Sequence, residues 1–343
     1  MIPVRLIGRA ARRALAPGLP PEEGKVLAVF RRSIYLERAG GALACLGPPA
    51  LGAGPLNALC GMPEGFEWEE KGIVPGMPFR CGGEEVRLGR GVSFVLRDAR
   101  DWKAQPPLPG WRAEDLAENL AALAREAQGR APAEGLGRLI TSLVQGGTPP
   151  LAPPCQGRER RAAPPCQGGD GGGGFLPGKE GSFLLHAALA GALALGEWLS
   201  GCLRGEDSPP PEEAKALIGL GPGLTPSGDD CLGGALVALR ALGEGRAADR
   251  LAAWALPLAE GRTGKISLAH LRCAAAGEGA SALHEALAAL CVPGAAGLPE
   301  ALDAIHAIGH TSGWDALAGA AGACAAWLHA GRPGFEGRAP APV

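Results

Sequence analysis

The sequence is poor in aromatic residues, in lysine and in net charge. Aromatic residues make up only 4% of the 343 residues, so a hydrophobic core must be built mostly from Ala, Leu and Val. The formal net charge of −2 gives no electrostatic footprint for non-specific nucleic-acid binding. No apolar run is long enough to span a bilayer without an Arg, Glu or Pro interruption, so no membrane association is predicted. The N-terminus has no clean apolar stretch before a cleavage site, and no secretory signal is predicted.

The chain also lacks the motifs of common cofactor and metal sites. Its ten cysteines form no C-x-x-C pair, and we expect them to be reduced, buried thiols of a cytoplasmic protein. The glycine-rich segment at 219–230 matches neither the Walker motif nor a G-x-G-x-x-G turn that opens a helix after a strand. His306 and His310 have the spacing of metal ligands on a helix, but Gly309 should end that helix and no H-E-x-x-H motif occurs. We therefore predict no cofactor and no metal site.

Hydrophobic periodicity divides the chain into a β-rich start and a helical remainder. Short apolar runs between glycine or charged turns predict strands at 26–30, 33–38, 42–46, 66–70, 77–81, 85–88 and 92–96. From Trp111 onward the period becomes helical, with further helices predicted at 183–203, 229–242, 247–258, 281–290 and 314–328. The predicted fold is α+β, an N-terminal antiparallel β barrel or sandwich-like domain followed by a mostly α-helical domain.

Composition sets the predicted boundaries. They are a β-rich domain at 1–107, the helical start of the second domain at 108–148, a flexible Pro/Gly-rich insertion at 149–181, an α-helical domain at 182–332 and a disordered tail at 333–343. The insertion repeats A-P-P-C-Q-G and so duplicates a cysteine, at Cys155 and Cys166. We favour a duplicated insertion over a redox or metal clip.

The most unusual segment is G-L-G-P-G-L-T-P-S-G-D-D at 219–230, followed by an apolar helix. Glycines let backbone N–H groups converge on a ligand, and a helix N-terminus adds N–H donors and partial positive charge. Ser227 is a candidate N-cap, which would place Asp229 and Asp230 in the first turn. The two aspartates would repel an anion beside them, and they fit better if one caps backbone amides and the other binds a ligand amine or a cation that accompanies a phosphate. The structural alternative is a Gly/Pro-rich turn between helices.

A second segment, G-H-T-S-G-W-D at 309–315, shares the S-G-x-D pattern and the preceding threonine. We infer two helix starts of the same design, which would form one pocket if they face each other. Two unrelated Ser-Gly turns are the alternative. A third segment, R-T-G-K-I-S at 262–267, places cations and hydroxyls at a probable helix start, where a solvated turn is equally compatible.

These three segments together resemble the AllH-type subunit of oxamate carbamoyltransferase, a family formerly of unknown function. The resemblance extends over the β-rich start, which closes with R-D-A-R-D-W-K-A-Q-P-P, and the helical domain. It implies carbamoyl transfer between carbamoyl phosphate and oxamate in the breakdown of allantoin and purine ureides. It also implies AllG-type and FdrA-type partner subunits.

Roles for residues follow as hypotheses. The candidates for catalysis are Asp229, Asp230, Lys265 and His310. The candidates for binding the small anion are Gly221, Gly223, Leu224, Thr225, Ser227, Gly228, Arg262, Ser267, Thr311, Ser312, Gly313 and Asp315. Two other functions stay open, a non-catalytic subunit that docks partners and an ATP-dependent carboxylase or kinase-like enzyme. The latter has no nucleotide motif to support it.

Overall fold

The computed structural model describes residues 1–16, 22–63, 65–89, 91–105, 110–146 and 179–332. The predicted tail at 333–343 and nearly all of the predicted insertion at 149–181 lie outside these residues. Within the described residues, no helix is both long enough and apolar enough to cross a membrane. All eight cysteines of the described part are free, and six of them are buried, as predicted.

The N-terminal region is a closed eight-stranded barrel with a ninth strand attached. Its strands are β1 (Ile2–Gly8), β2 (Glu22–Val29), β3 (Ile34–Arg38), β4 (Leu43–Gly47), β5 (Asn57–Cys60), β6 (Pro78–Gly82), β7 (Glu85–Leu88), β8 (Val92–Val95) and β9 (Arg100–Trp102). The order is β5-β4-β3-β2-β6-β7-β8-β1, and pairing of β1 with β5 closes the ring. β9 continues along the edge of β1 beyond β8.

The barrel departs from the predicted antiparallel arrangement at three pairings. β1 runs parallel to β8 and to β9, and β4 runs parallel to β5. The β4–β5 connection, residues 48–56, is long enough to return the chain to the same end of the barrel, and it contains a 3₁₀ turn at Pro49–Leu51. This crossover is important because it forms one wall of the cavity described below.

The barrel interior follows the two-residue period of its strands. Ile7, Leu36 and Phe94 are fully buried there. The strand predicted at 66–70 is absent, because Trp68 instead enters the barrel core and lies 6.0 Å from the ring of Phe94, while the backbone turns as a 3₁₀ helix at Glu69–Lys71. The aromatic residues that suggested a strand are thus core side chains of a loop.

The remainder is helical, and the α+β class is confirmed. The helices are α1 (Arg9–Leu15), which packs on the barrel, then α2 (Ala113–Arg130), α3 (Ile140–Gln145), α4 (Lys179–Arg204), α5 (Ser227–Ala241), α6 (Gly245–Glu260), α7 (Lys265–Ala275), α8 (Ser281–Leu290), α9 (Leu298–His306) and α10 (Ser312–His329). α5 and α10 pack together at the centre of this region, and both are almost wholly buried.

α7 joins the helical region to the barrel. Ile266 packs between Leu43 and Leu56 in a small cluster separate from the two main cores. Lys265, the first residue of α7, forms an ion pair with Glu37 of β3. A salt bridge of 2.5 Å between Arg9 and Glu278 makes a second link nearby. The barrel and the helical region therefore meet along one face, and a cavity lies between them.

Candidate functional site

The two Ser-Gly segments are helix starts, as predicted, and they meet in space. α5 begins at Ser227 and α10 begins at Ser312. The hydroxyl oxygens of Thr225 and Ser312 lie 3.0 Å apart in a hydrogen bond. Residues 87 positions apart in the chain thus form one polar surface.

The prediction that Ser227 caps its helix is wrong. The residue before α5 is Pro226, and no side chain caps the N-terminus of α5 or of α10. The hydroxyls point between the two helices instead, since Ser312 contacts Thr225 and Ser227 lies beside Asp315. The expected placement of Asp229 and Asp230 in the first turn is confirmed.

Asp229 is a buried carboxylate with both oxygens occupied. Oδ1 accepts the backbone N–H of Gly219 at 2.8 Å, and Oδ2 accepts the hydroxyl of Ser267 at 2.7 Å. These bonds tie the start of α5 to the glycine loop and to α7. Gly219 has φ +71°, and a Cβ atom there would lie 2.6 Å from the carbonyl oxygen of Arg262, so the loop needs glycine at this point. Asp229 therefore holds the local structure in place.

Asp230 has a different environment, because its Oδ2 atom is buried and has no hydrogen-bond partner among the described residues. Burial raises the pKa of Asp230 well above its ordinary value, and the nearby Asp315 and Asp229 add to this effect. The Ser312 and Thr225 hydroxyls beside it act in the opposite direction. Asp230 thus holds a proton more readily than an ordinary aspartate does.

A cavity of about 840 Å³ opens next to Asp230, between the barrel and the helical region. The helical side contributes the polar side chains of Thr225, Asp229, Asp230, Ser267, His270 and Ser312. The barrel side contributes the β2–β3 turn, the β4–β5 crossover and the adjoining parts of β3 and β5. Its polar side chains are those of Arg31, Arg32, Ser33, Tyr35 and Asn57. This volume exceeds that of a molecule of a few heavy atoms and falls in the range of ligand pockets.

Tyr35 and His270 bridge the two walls. The Tyr35 hydroxyl lies 3.2 Å from His270 Nε2, and the rings meet edge to face. Burial lowers the pKa of His270 to about 4, and burial also raises the pKa of Tyr35 well above 10.0. Both groups are therefore neutral near pH 7, and the pair offers uncharged hydrogen-bonding groups inside the cavity.

The cationic groups of the cavity lie at its rim. Arg31 and Arg32, in the turn between β2 and β3, are exposed and line the cavity. Neither makes an ion pair with a described carboxylate. Glu278, which also lines the cavity, is already paired with Arg9. The cavity is thus acidic and hydroxyl-rich at the helix starts, and positively charged where the barrel turn approaches.

Ten of the sixteen predicted site residues lie outside the cavity lining. They are Gly221, Gly223, Leu224, Ser227, Gly228, Arg262, Lys265, His310, Thr311 and Asp315. The other six line it: Thr225, Asp229, Asp230, Ser267, Ser312 and Gly313.

The residues outside the cavity have other contacts. Lys265 is held by Glu37, and the His310 ring lies on the surface, 3.5 Å from Glu134. Arg262 donates to the carbonyl oxygen of Lys215 at 3.3 Å. The exposed stretch of the glycine loop, which includes Gly223 and Leu224, points away from the cavity lining. Gly228 packs against the backbone of Leu217, where a Cβ atom would overlap the carbonyl oxygen.

Sequence reasoning missed the contribution of the barrel. Tyr35 is the only tyrosine of the chain, which was an available signal. Arg31 and Arg32 form an ordinary basic turn between strands, and His270 fits a core histidine on a helix. No local pattern connects these residues to α5. In the described part of the chain, no cluster of three or more His, Cys, Asp or Glu side chains is arranged to hold a metal ion.

Comparison with known proteins gives one family. No solved structure matches the chain. The matching family model covers both helix starts and α7, and it leaves the barrel outside the match. Its name describes a subunit of an enzyme. The resemblance predicted from the sequence is confirmed in this segment: residues 217–324 match the family of oxamate carbamoyltransferase subunit AllH.

Proposed function

We propose that this chain is a subunit of an oxamate carbamoyltransferase and that the cavity between barrel and helices binds a small, amide-bearing anion. The observation that carries the proposal is the meeting of the two helix starts, where Thr225 and Ser312 lie 3.0 Å apart beside Asp230, whose buried Oδ2 atom has no hydrogen-bond partner among the described residues. The family match covers these residues.

The distribution of charge supports a ligand of this kind. Carbamoyl phosphate and oxamate each carry a negative group at one end and an NH₂ group at the other. The guanidinium groups of Arg31 and Arg32 suit phosphate or carboxylate oxygens. The carboxyl group of Asp230 and the hydroxyls of Thr225 and Ser312 suit an amide. A ligand that carries a negative group at one end and an amide at the other can bind the arginines and the helix starts at the same time.

The proposed reaction joins the two molecules. The oxamate nitrogen attacks the carbamoyl carbon, a new C–N bond forms, the C–O bond to phosphate breaks, and the nitrogen loses a proton. Positioning and electrostatic stabilisation suffice for such a transfer without a covalent intermediate on the protein. The neutral Tyr35–His270 pair also lines the cavity, and a hydrogen bond donated by this pair would stabilise the carbonyl oxygen as negative charge develops there.

The proposal includes partners and setting. We propose that AllG-type and FdrA-type subunits complete the enzyme, that it works in allantoin and purine-ureide breakdown, and that it is cytoplasmic. Lys265 and His310 stay candidates for catalysis only if a partner subunit or a movement of the chain brings them to the ligand. Their present contacts are with Glu37 and Glu134.

Calorimetric titration of the full chain with inorganic phosphate, carbamoyl phosphate and oxamate tests the binding part. We expect at least one of these anions to bind. Ser312→Ala should then weaken binding roughly three- to tenfold, the range for loss of one neutral hydrogen bond. Ser208→Ala is the matched control, because Ser208 is exposed and its side chain lies outside the cavity. Absence of binding by all three anions would remove the proposal.

A second assay tests whether catalysis needs this chain. Phosphate release from carbamoyl phosphate in the presence of oxamate is measured with purified partner subunits, with and without the chain. We expect activity only with the chain, and a loss with Ser312→Ala that Ser208→Ala does not show. Full activity of the partner subunits alone would exclude a catalytic role for this chain and would favour a role in docking the partners.

A further inference from the structure

The starts of α5 and α10 are related by a local two-fold arrangement, and the relation is visible in their backbone contacts. A Cβ atom on Gly234 would lie 1.8 Å from the carbonyl oxygen of Ala316, and one on Gly319 would lie 1.8 Å from that of Cys231. Gly234 and Gly319 are 85 residues apart, and so are Cys231 and Ala316. Each helix therefore packs its glycine on the equivalent carbonyl of the other.

The same relation holds for the acidic groups. Asp230 and Asp315 are also 85 residues apart. Asp230 lies beside the hydroxyl of Ser312, the first residue of α10, and Asp315 lies beside the hydroxyl of Ser227, the first residue of α5. The two aspartates therefore occupy equivalent positions at one junction, and each keeps a buried Oδ2 atom without a partner.

The Asp315 position is filled by the protein itself. Its Oδ1 atom accepts the backbone N–H of Leu136 at 2.5 Å. Gly135, with φ +79°, passes so close that a Cβ atom there would lie 2.5 Å from the same oxygen. Asp315 has no exposed surface. At this position a carboxyl group thus binds the N–H of an amide supplied by the chain.

The Asp230 position has no such segment. None of the hydrogen bonds in the described part of the chain brings a backbone N–H to Asp230, and the cavity occupies the place next to it. The two equivalent positions thus differ in what contacts the carboxyl group. Asp315 contacts a peptide amide of the chain, whereas Asp230 faces the open volume of the cavity.

We infer that Asp230 selects ligands with a free amide N–H. The ligand amide contacts Asp230 in the same way as the peptide amide of Leu136 contacts Asp315. This inference rests on the proposed function and narrows its ligand to a primary carboxamide or carbamoyl group. A carboxyl group that retains its proton pairs with a primary amide through two hydrogen bonds, one accepted from N–H and one donated to C=O. Burial raises the pKa of Asp230 and so favours that form.

Titration calorimetry with three related probes tests the inference on the full chain. Oxamate carries one carboxylate and a primary amide, oxalate has oxygen in place of the NH₂ group, and N,N-dimethyloxamate keeps the single charge but has no N–H. We expect wild-type protein to bind oxamate at least tenfold more tightly than either analogue, as expected when a buried polar group is left unpaired. Asp230→Ala should reduce this preference to threefold or less, and Asp230→Asn, which keeps an acceptor oxygen, should retain part of it.

Glu278→Gln is the control, because it removes a carboxylate that lines the same cavity but is paired with Arg9. It should leave the ratio between probes unchanged. Equal binding of oxamate and dimethyloxamate by wild-type protein overturns the inference whether or not a variant folds, while the anion site of the proposed function stands. Failure of every anion to bind, inorganic phosphate included, overturns both.

Discussion

Gly319→Ala should destabilise the protein far more than alanine normally does in a helix. The new Cβ atom would lie 1.8 Å from the carbonyl oxygen of Cys231. A carbon atom and an oxygen atom that are not bonded prefer a separation near 3.5 Å, so α5 and α10 must move apart by roughly 1.5 Å. The well-packed interface between the two helices then loses dispersion contacts along its length. Overpacking of a core typically costs about 1–3 kcal/mol. The preference of helices for Ala over Gly offsets about 1 kcal/mol of this.

The measurement is urea unfolding followed by circular dichroism, with Gly322→Ala as the matched control on the same helix. A Cβ atom on Gly322 meets only Leu143, at 3.7 Å, an ordinary contact. We expect Gly322→Ala to be neutral or stabilising by up to about 1 kcal/mol. Gly319→Ala should be less stable than this control by about 1–3 kcal/mol, because the helix preference for Ala cancels between the two variants. Equal stability of the two variants would refute the packing described for α5 and α10.

Two further predictions concern His270 and the arginines of the rim. Because burial lowers the pKa of His270 from 6.5 to about 4, the unfolded chain binds more protons between these values, and the free energy of unfolding should fall as pH drops through that window. His270→Gln should reduce this slope in urea unfolding at pH 7 and pH 5, and an unchanged slope would contradict the burial of the neutral ring. Arg31→Gln and Arg32→Gln should each weaken phosphate binding about three- to tenfold in dilute buffer and less in 0.5 M salt, since exposed charges are screened. Arg80→Gln should have no effect, because the Arg80 guanidinium pairs with Glu23 on the barrel surface. Equal losses of affinity in all three variants would contradict a specific role for Arg31 and Arg32 in phosphate binding.

The sequence was sufficient to predict the class of the fold and the two helix starts, whereas their meeting in space stayed one of two alternatives. Alternating runs indicated most strands, and the helical period indicated α5 and α10, because small residues and a repeated Ser-Gly start are local signals. The strands β1, β5 and β9 and the helices α1 and α3 were missed, and α7 and α9 were predicted at one end only. Their identity depends on pairing partners far away in the chain, as with β1, which binds β5 on one edge and β8 on the other.

The candidate site was predictable only on its helical side. Thr225, Asp230 and Ser312 lie in the recognised segments, whereas Tyr35 and Arg31 reach the cavity through the docking of α7 on the barrel. That docking depends on three apolar side chains and an ion pair with Glu37. No local pattern in the barrel sequence specifies it. The same lack of long-range information explains why the ion pair between Lys265 and Glu37 was not predicted.

The cavity is lined by side chains of both the barrel and the helical region, so a molecule that fills it contacts both regions. Such a molecule acts as a non-covalent crosslink. At a concentration of a hundred times its Kd, it adds about 2.7 kcal/mol to the stability of the contact between the barrel and the helical region. Loss of the ligand would then loosen the barrel from the helices before either melts, and the thermal unfolding of the free chain should spread into two steps that merge when the ligand is bound.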